Sequence, residues 1–282
     1  MKSLLTPSPG QHPLLLPSLL ASLVLCSVLA SDALDAAAPP DTAAANIALS
    51  LEEDLSCSPP PEHSPAVPPS PTPPPVPSRF HIQLVPLIDQ LPELPTGCEI
   101  TALTMVLRYY GFPADKVDLA RNYLPQSSME LCYGEDGLLH GPDLNQVFMG
   151  DPETEWGCVC GPEALVTAAN GYLKDQDSSL RAVDKTGSAP EELYRLVSQA
   201  VPVVVLATIE LRDRGEVFGW YTSEGAWVDW GENDHGAVLT GYTEDTVTLA
   251  DPLSGVVEYD RETFEKVFEE RGQKCLVIRG TR

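Results

Sequence analysis

The sequence predicts an α+β domain over residues 80–282, and three observations carry that expectation. Helix-period segments dominate the first part of this stretch. Three alternating, strand-like runs then follow one another late in the chain. The links between those runs, Thr243-Glu-Asp-Thr246 and Pro252-Leu-Ser-Gly255, are hairpin-sized and too short for crossover helices. Runs of helices followed by clustered strands point to segregated α and β layers rather than a doubly wound sheet.

In order, helices are predicted over 97–110, 114–123, 162–173, 190–200 and 261–271. The first is the best specified. Ile100, Leu103, Val106, Leu107 and Tyr110 share one helical face, and Gly111 supplies the stop. Thr96 and Glu99 have the spacing of a capping box, with each side chain satisfying the other's backbone amide. The third helix opens on Pro162, a residue suited to a first turn. Strands are predicted over 201–209, 226–230, 235–243, 246–250, 255–259 and 274–279.

The first 79 residues carry no core pattern. Residues 14–30, LLLPSLLASLVLCSVLA, follow Lys2 and end with Val28 and Ala30 before a cut near Ser31. This is the pattern of a signal peptide over residues 1–30, with an uncleaved N-terminal anchor as the alternative. Residues 31–79 are expected to be a linker, Ala- and Asp-rich at first. From Ser58 to Pro77 eleven of twenty residues are proline. Such a run favours polyproline II and spans ~60 Å when extended. It serves as a spacer, a disordered tail or a ligand for a proline-binding module. An export signal implies a secreted or cell-envelope location.

Net charge is −24, and residues 80–282 hold 34 acidic against 15 basic side chains. This balance argues against nucleic acid and anionic membrane surfaces as partners, both of which need basic patches. A membrane partner remains only through an uncleaved N-terminal segment. Seven cysteines are present, of which Cys98, Cys132, Cys158, Cys160 and Cys275 fall in the predicted domain. An exported chain allows disulfides, and Cys132 with Cys158 or Cys160 is the expected pair. The same three with His140 form an alternative zinc set, although the one-residue gap in Cys158-Val-Cys160 departs from usual zinc spacing. No cofactor or metal is expected.

Cys98 falls in the first turn of its helix, where free N–H groups and the positive end of the macrodipole favour a thiolate. A cysteine nucleophile needs a base. Of five histidines, His235 opens an alternating strand, His-Gly-Ala-Val-Leu-Thr-Gly-Tyr, which holds its backbone fixed while the ring can face a cleft. Asp251 follows sixteen residues later at the end of the next run. In an antiparallel pair it returns beside His235, where a carboxylate orients the imidazole; the alternative is a turn started by Asp251-Pro252. Gln90, eight residues before Cys98, offers a side-chain amide to an oxyanion alongside the Cys98 N–H. The order Cys, His 137 residues on, then carboxylate is that of papain-like enzymes.

Val85-Pro-Leu-Ile-Asp-Gln90, Pro95-Thr-Gly-Cys-Glu-Ile-Thr-Ala-Leu-Thr-Met105 and Tyr109-Tyr-Gly111 together resemble the start of peptidase C39-like domains, papain-like relatives of peptidases that cut after double-glycine leaders. His235–Tyr242, Leu249-Ala-Asp-Pro252 and the segment Gly157–Leu173 resemble later parts of the secreted branch, so the likeness covers about 85–279. It implies Cys98 as nucleophile, His235 as base, Asp251 as orienter and Gln90 as oxyanion donor. It also implies a catalytic helix packed on an antiparallel sheet. Export and the lack of a nucleotide-binding module set this chain apart from the members fused to export ATPases. The expected function is an exported cysteine peptidase acting on a peptide or protein substrate, free or cell-wall-associated. The alternatives are an acyl transferase on the same scaffold and a non-catalytic wall- or peptide-binding module.

Overall fold

The computed structural model describes residues 75–280, so the expected signal segment and nearly all of the linker lie outside the described residues. A short strand β1 (Phe80–His81) leads to helices α1 (Cys98–Tyr109) and α2 (Lys116–Asn122). Asp115 caps α2, its carboxylate accepting from the amides of Val117 and Asp118. Four two-residue strands follow: β2 (Gln126–Ser127), β3 (Cys132–Tyr133), β4 (Leu139–His140) and β5 (Phe148–Met149). Helix α3 (Pro162–Asp175) then begins on proline, which has no N–H to leave unpaired. The rest alternates: β6 (Leu180–Asp184), α4 (Pro190–Ser198), β7 (Val203–Thr208), β8 (Val217–Tyr221), β9 (Trp227–Gly231), β10 (Asp234–Tyr242), β11 (Thr246–Asp251), β12 (Gly255–Asp260), α5 (Arg261–Glu270) and β13 (Cys275–Gly280).

Seven strands make one sheet in the order β12-β11-β10-β7-β13-β6, with β1 added against the end of β10; every pairing is antiparallel. Side chains alternate across it. Val204, Leu206, Val238, Leu276 and Ile278 enter a core with α1 and α3. Val203, Val205, Ala237, Leu239 and Val277 enter a second core with α4 and α5. The central strands are therefore apolar at nearly every position, because both faces are covered. Each fully buried Leu or Val side chain contributes about 1.5–3 kcal/mol, which holds the central strand β10 and helix α1 as a rigid base for the site. A smaller sheet, β3-β4-β8-β9, lies apart from these layers and buries Trp220, whose indole N–H donates to the Pro142 carbonyl.

All five predicted helices and six predicted strands form, with small shifts at their ends. Both hairpin links are in place, joining β10 to β11 and β11 to β12. The strands β6 and β8 and the two-residue strands β1 to β5 were not expected. The capping box is also a correction. Gly97 is the N-cap of α1 and supplies no side-chain bond. Thr96 Oγ1 donates to the Thr154 carbonyl at 3.1 Å, and the Thr96 amide donates to Pro152 O at 3.4 Å. With Thr96 drawn outward to this loop, the Glu99 carboxylate turns into the protein.

Candidate active site

Cys98 is the first residue of α1, where the sequence places it in a first helical turn. The helix end lies against the start of β10, and Gly236 makes that approach feasible. A Cβ at position 236 would stand 2.8 Å from Glu99 Cα and 2.9 Å from Glu99 Cγ. The same glycine's N–H donates to the Cys98 sulfur. Gly236→Ala must therefore push α1 off the strand. We expect a stability loss of about 1–3 kcal/mol in denaturant unfolding and altered iodoacetamide labelling of Cys98. Wild-type values for both would show that the helix start yields freely.

The helix terminus does not produce a resting thiolate. Cys98 is buried, and its Sγ donates to Glu99 Oε2 at 3.1 Å. Burial pushes the thiol well above its ordinary value, the Glu99 charge and hydrogen bond push it further, and the Gly236 amide opposes them only in part. Desolvation and a contacting carboxylate outweigh the partial charge of a helix end.

His235 and Asp251 meet as their strands predict. Both are buried, and His235 Nε2 lies 3.0 Å from Asp251 Oδ2. The ring N–H points off that oxygen, so the contact is close without being a linear hydrogen bond. The other oxygen, Oδ1, accepts from the amides of Leu253 at 2.7 Å and Ser254 at 3.0 Å. Asp251 thus starts the turn and faces the histidine at once, one oxygen for each. Burial raises the Asp251 carboxyl, but His235 and the two turn amides outweigh it and hold it below the usual carboxylate value.

A carboxyl with a lowered folded pKa stabilises the fold fully above the unfolded value of about 3.9. That stabilisation is lost as pH falls through the folded value. Asp251→Asn is expected to remove this part of the acid limb, flattening stability against pH below about 4 in a pH series of thermal melts. An unchanged acid limb would show that the carboxylate is not stabilised by folding.

Gln90 is buried beside the approach to α1. Its Nε2 donates to Pro95 O at 3.0 Å, while its Oε1 has no partner. The Gln90 amide donates to Pro252 O at 2.9 Å, tying this loop to the Asp251 turn. Lys116 Nζ donates to Gln90 O at 2.8 Å and pairs with Glu93 at 2.7 Å, pinning the loop to α2. One of the two Nε2 hydrogens is thereby used and the other is free.

Two features were missed in the sequence. Glu99 is 2 % exposed, with Oε1 accepting from the Cys160 amide at 3.3 Å and Oε2 from Cys98. Behind His235, Asp234 is clamped by Arg214 through Nε at 2.8 Å and Nη2 at 2.7 Å, and by Arg271 Nη2 at 3.0 Å. The polar run before His235 signalled a turn but not a buried ion cluster. The expected disulfide is a correction: all five described cysteines are free. Cys132 is exposed in the β3-β4 hairpin opposite His140, while Cys158 and Cys160 are buried within reach of the Glu99 charge. The alternative zinc set divides along the same line, and no group of three or more metal-ligating side chains occurs among the described residues.

Residues 82–276 match the model of the Peptidase_C39 like family, most of the chain's length. The chain belongs to the peptidase C39-like family. It is similar to the uncharacterized protein YvpB of Bacillus subtilis (strain 168), with 30% identity over 188 residues, 66% of this chain and 70% of YvpB. It is 27% identical over 125 residues to the uncharacterized protein MTBMA_c00490 of Methanothermobacter marburgensis, 43% of this chain and 86% of that protein. A crystal structure from Bacillus anthracis, whose protein carries the proposed description of C39-like peptidase, superposes with a TM-score of 0.62 at 32% identity. It covers 72% of this chain and 99% of that one. The α+β architecture, with the cysteine-bearing helix on an antiparallel sheet, is that of the papain-like C39 peptidase domains.

Proposed function

We propose that this C39-like protein is an exported cysteine peptidase that hydrolyses peptide bonds through an acyl-enzyme on Cys98. One observation carries the proposal. Gly236 receives the Cys98 sulfur on its N–H, and its neighbour His235 lies 3.0 Å from a buried aspartate. A nucleophile, a proton carrier and its orienting carboxylate are thus gathered on α1, β10 and β11. The Cys98 sulfur attacks the peptide carbonyl, whose electrons move to oxygen. The Cys98 N–H and the free Gln90 Nε2 hydrogen stabilise that oxyanion. His235 takes the thiol proton as the sulfur attacks, passes it to the departing amine, then takes a proton from the attacking water and returns it to the sulfur as the acid leaves. Asp251 steadies the imidazolium. The apolar segment 14–30 supports export.

The test is digestion of a diverse peptide library by the full chain, with products sequenced by mass spectrometry in the presence and absence of amine acceptors. Free carboxyl termini that recur at defined positions are expected. Amide adducts in place of acids would assign an acyl transferase instead, and no turnover with retained peptide binding would assign a binding module.

A further inference from the structure

We propose that Arg271 is a positioning residue for His235, its guanidinium bridging the Asp234 carboxylate and the Ala207 carbonyl so that the start of β10 is locked to β7. The inference deepens the peptidase proposal and rests on His235 being the proton carrier. Its basis is geometric. Arg271 Nη2 pairs with Asp234 Oδ2 at 3.0 Å, and Nε donates to Ala207 O at 3.3 Å. These two acceptors bracket the histidine. Asp234 precedes His235 in the chain, and Ala207 is the residue paired with His235 across the ladder between β10 and β7.

Neutralising Asp234 does not account for Arg271. Arg214 already meets both oxygens of that carboxylate, Nε to Oδ1 at 2.8 Å and Nη2 to Oδ2 at 2.7 Å. The Gly231 amide adds a third donor to Oδ2 at 2.9 Å. Arg271 is nevertheless 5 % exposed, and burial holds its guanidinium below its ordinary value. Asp234 offsets this only in part, and the nearby Arg214 charge works against a second cation. A further buried guanidinium beside a carboxylate that is already satisfied costs stability. What it adds is a link from that carboxylate to β7.

The link has a firm base. Arg271 ends α5, with its own amide donating to Val267 O at 3.0 Å. Three residues on, Lys274 O accepts from the Leu206 amide at 2.9 Å, so the turn after α5 is tied to β7 next to Ala207. The site needs such a tie because His235 is only the second residue of β10, at the strand's end. Its ring must serve Cys98 and Asp251 together, and a displacement of about 1 Å costs about 100-fold in rate. The guanidinium bonds to the scaffold and not to a peptide, so its loss should be read in kcat and not in KM.

The test combines steady-state peptide hydrolysis, thermal melts and NMR of 15N-labelled histidine in the full chain. Wild type is compared with Arg271→Met and Arg271→Lys. Methionine keeps much of the side chain's apolar length and removes both contacts. Lysine keeps the charge but lacks the fork that reaches two acceptors at once. Arg271→Met should fold, with Asp234 still held by Arg214, and should lower kcat about 10–100-fold with KM within about twofold of wild type. Arg271→Lys should show the same split with a smaller loss. The ring signals of His235, assigned by their absence in His235→Ala, should shift or broaden in both variants.

Wild-type kcat in a folded Arg271→Met protein would overturn the proposal. So would unchanged His235 ring signals, or a loss carried by KM alone. If Arg271→Met does not fold, Arg271→Lys decides by the same criteria. Failure of the peptidase proposal reads differently: wild type hydrolyses nothing, while the ring signals still report whether Arg271 fixes His235.

Discussion

Cys98→Ala is expected to abolish peptide hydrolysis while leaving the protein folded. The change removes one sulfur, whose contacts are Glu99 Oε2 and the Gly236 amide. No other described cysteine can replace it. Cys158 and Cys160 are buried, with burial as the main cause raising both thiols and with Cys158 pushed up to about 12. Cys132 lies in the outer hairpin, and Cys275 is buried on the opposite face of the sheet. Residual turnover should therefore fall to background, a loss of at least about 10⁴-fold in kcat. The fold should hold, because alanine fills most of the site, although Glu99 Oε2 loses its donor, a cost of about 1–3 kcal/mol. Peptide digestion followed by mass spectrometry, beside a thermal melt, reads both effects. Turnover at the wild-type rate in a folded Cys98→Ala protein would remove Cys98 from the chemistry and end the peptidase proposal.

Much of this arrangement was legible in the sequence because it depends on local pattern. The apolar positions from Ile100 to Leu107 specify which face of α1 meets the sheet. The alternation from His235 to Tyr242 specifies a strand whose start can carry a side chain to its edge. A hairpin link at Thr243–Thr246 forces the end of β11 back toward the start of β10, so the His235–Asp251 approach follows from chain length alone. Burial was not legible in the same way. The Thr96/Glu99 spacing suits a cap equally well whether the carboxylate turns back or inward. The choice is made by Thr154, Pro152 and Cys160, more than fifty residues away. The same distant segment helps bury the thiol, which is why a helix-end argument for a thiolate fails here. Strand β6 escaped notice because its residues divide between two cores, with Leu180 and Ala182 on one side and Val183 on the other. The two-residue strands are too short for any period to mark them.

His235→Ala is expected to lower kcat/KM about 10³-fold, with a smaller loss for Asp251→Ala. Without an imidazole, the departing amine leaves unprotonated and the attacking water has no acceptor, so both halves of the turnover slow. Asp251 acts only through the ring. Its removal leaves the histidine on β10 but frees it to rotate, which costs orientation and imidazolium stability rather than the proton carrier itself. The two variants should also separate in structure. Asp251→Ala deletes the acceptor for the Leu253 and Ser254 amides as well, so it should destabilise the β11-β12 turn. Its melting temperature should fall below that of His235→Ala, although its activity is higher. That inverse order of stability and activity is what a two-sided aspartate predicts. If Asp251→Ala loses stability and keeps wild-type kcat/KM, Oδ1 alone matters and the carboxylate belongs to the turn.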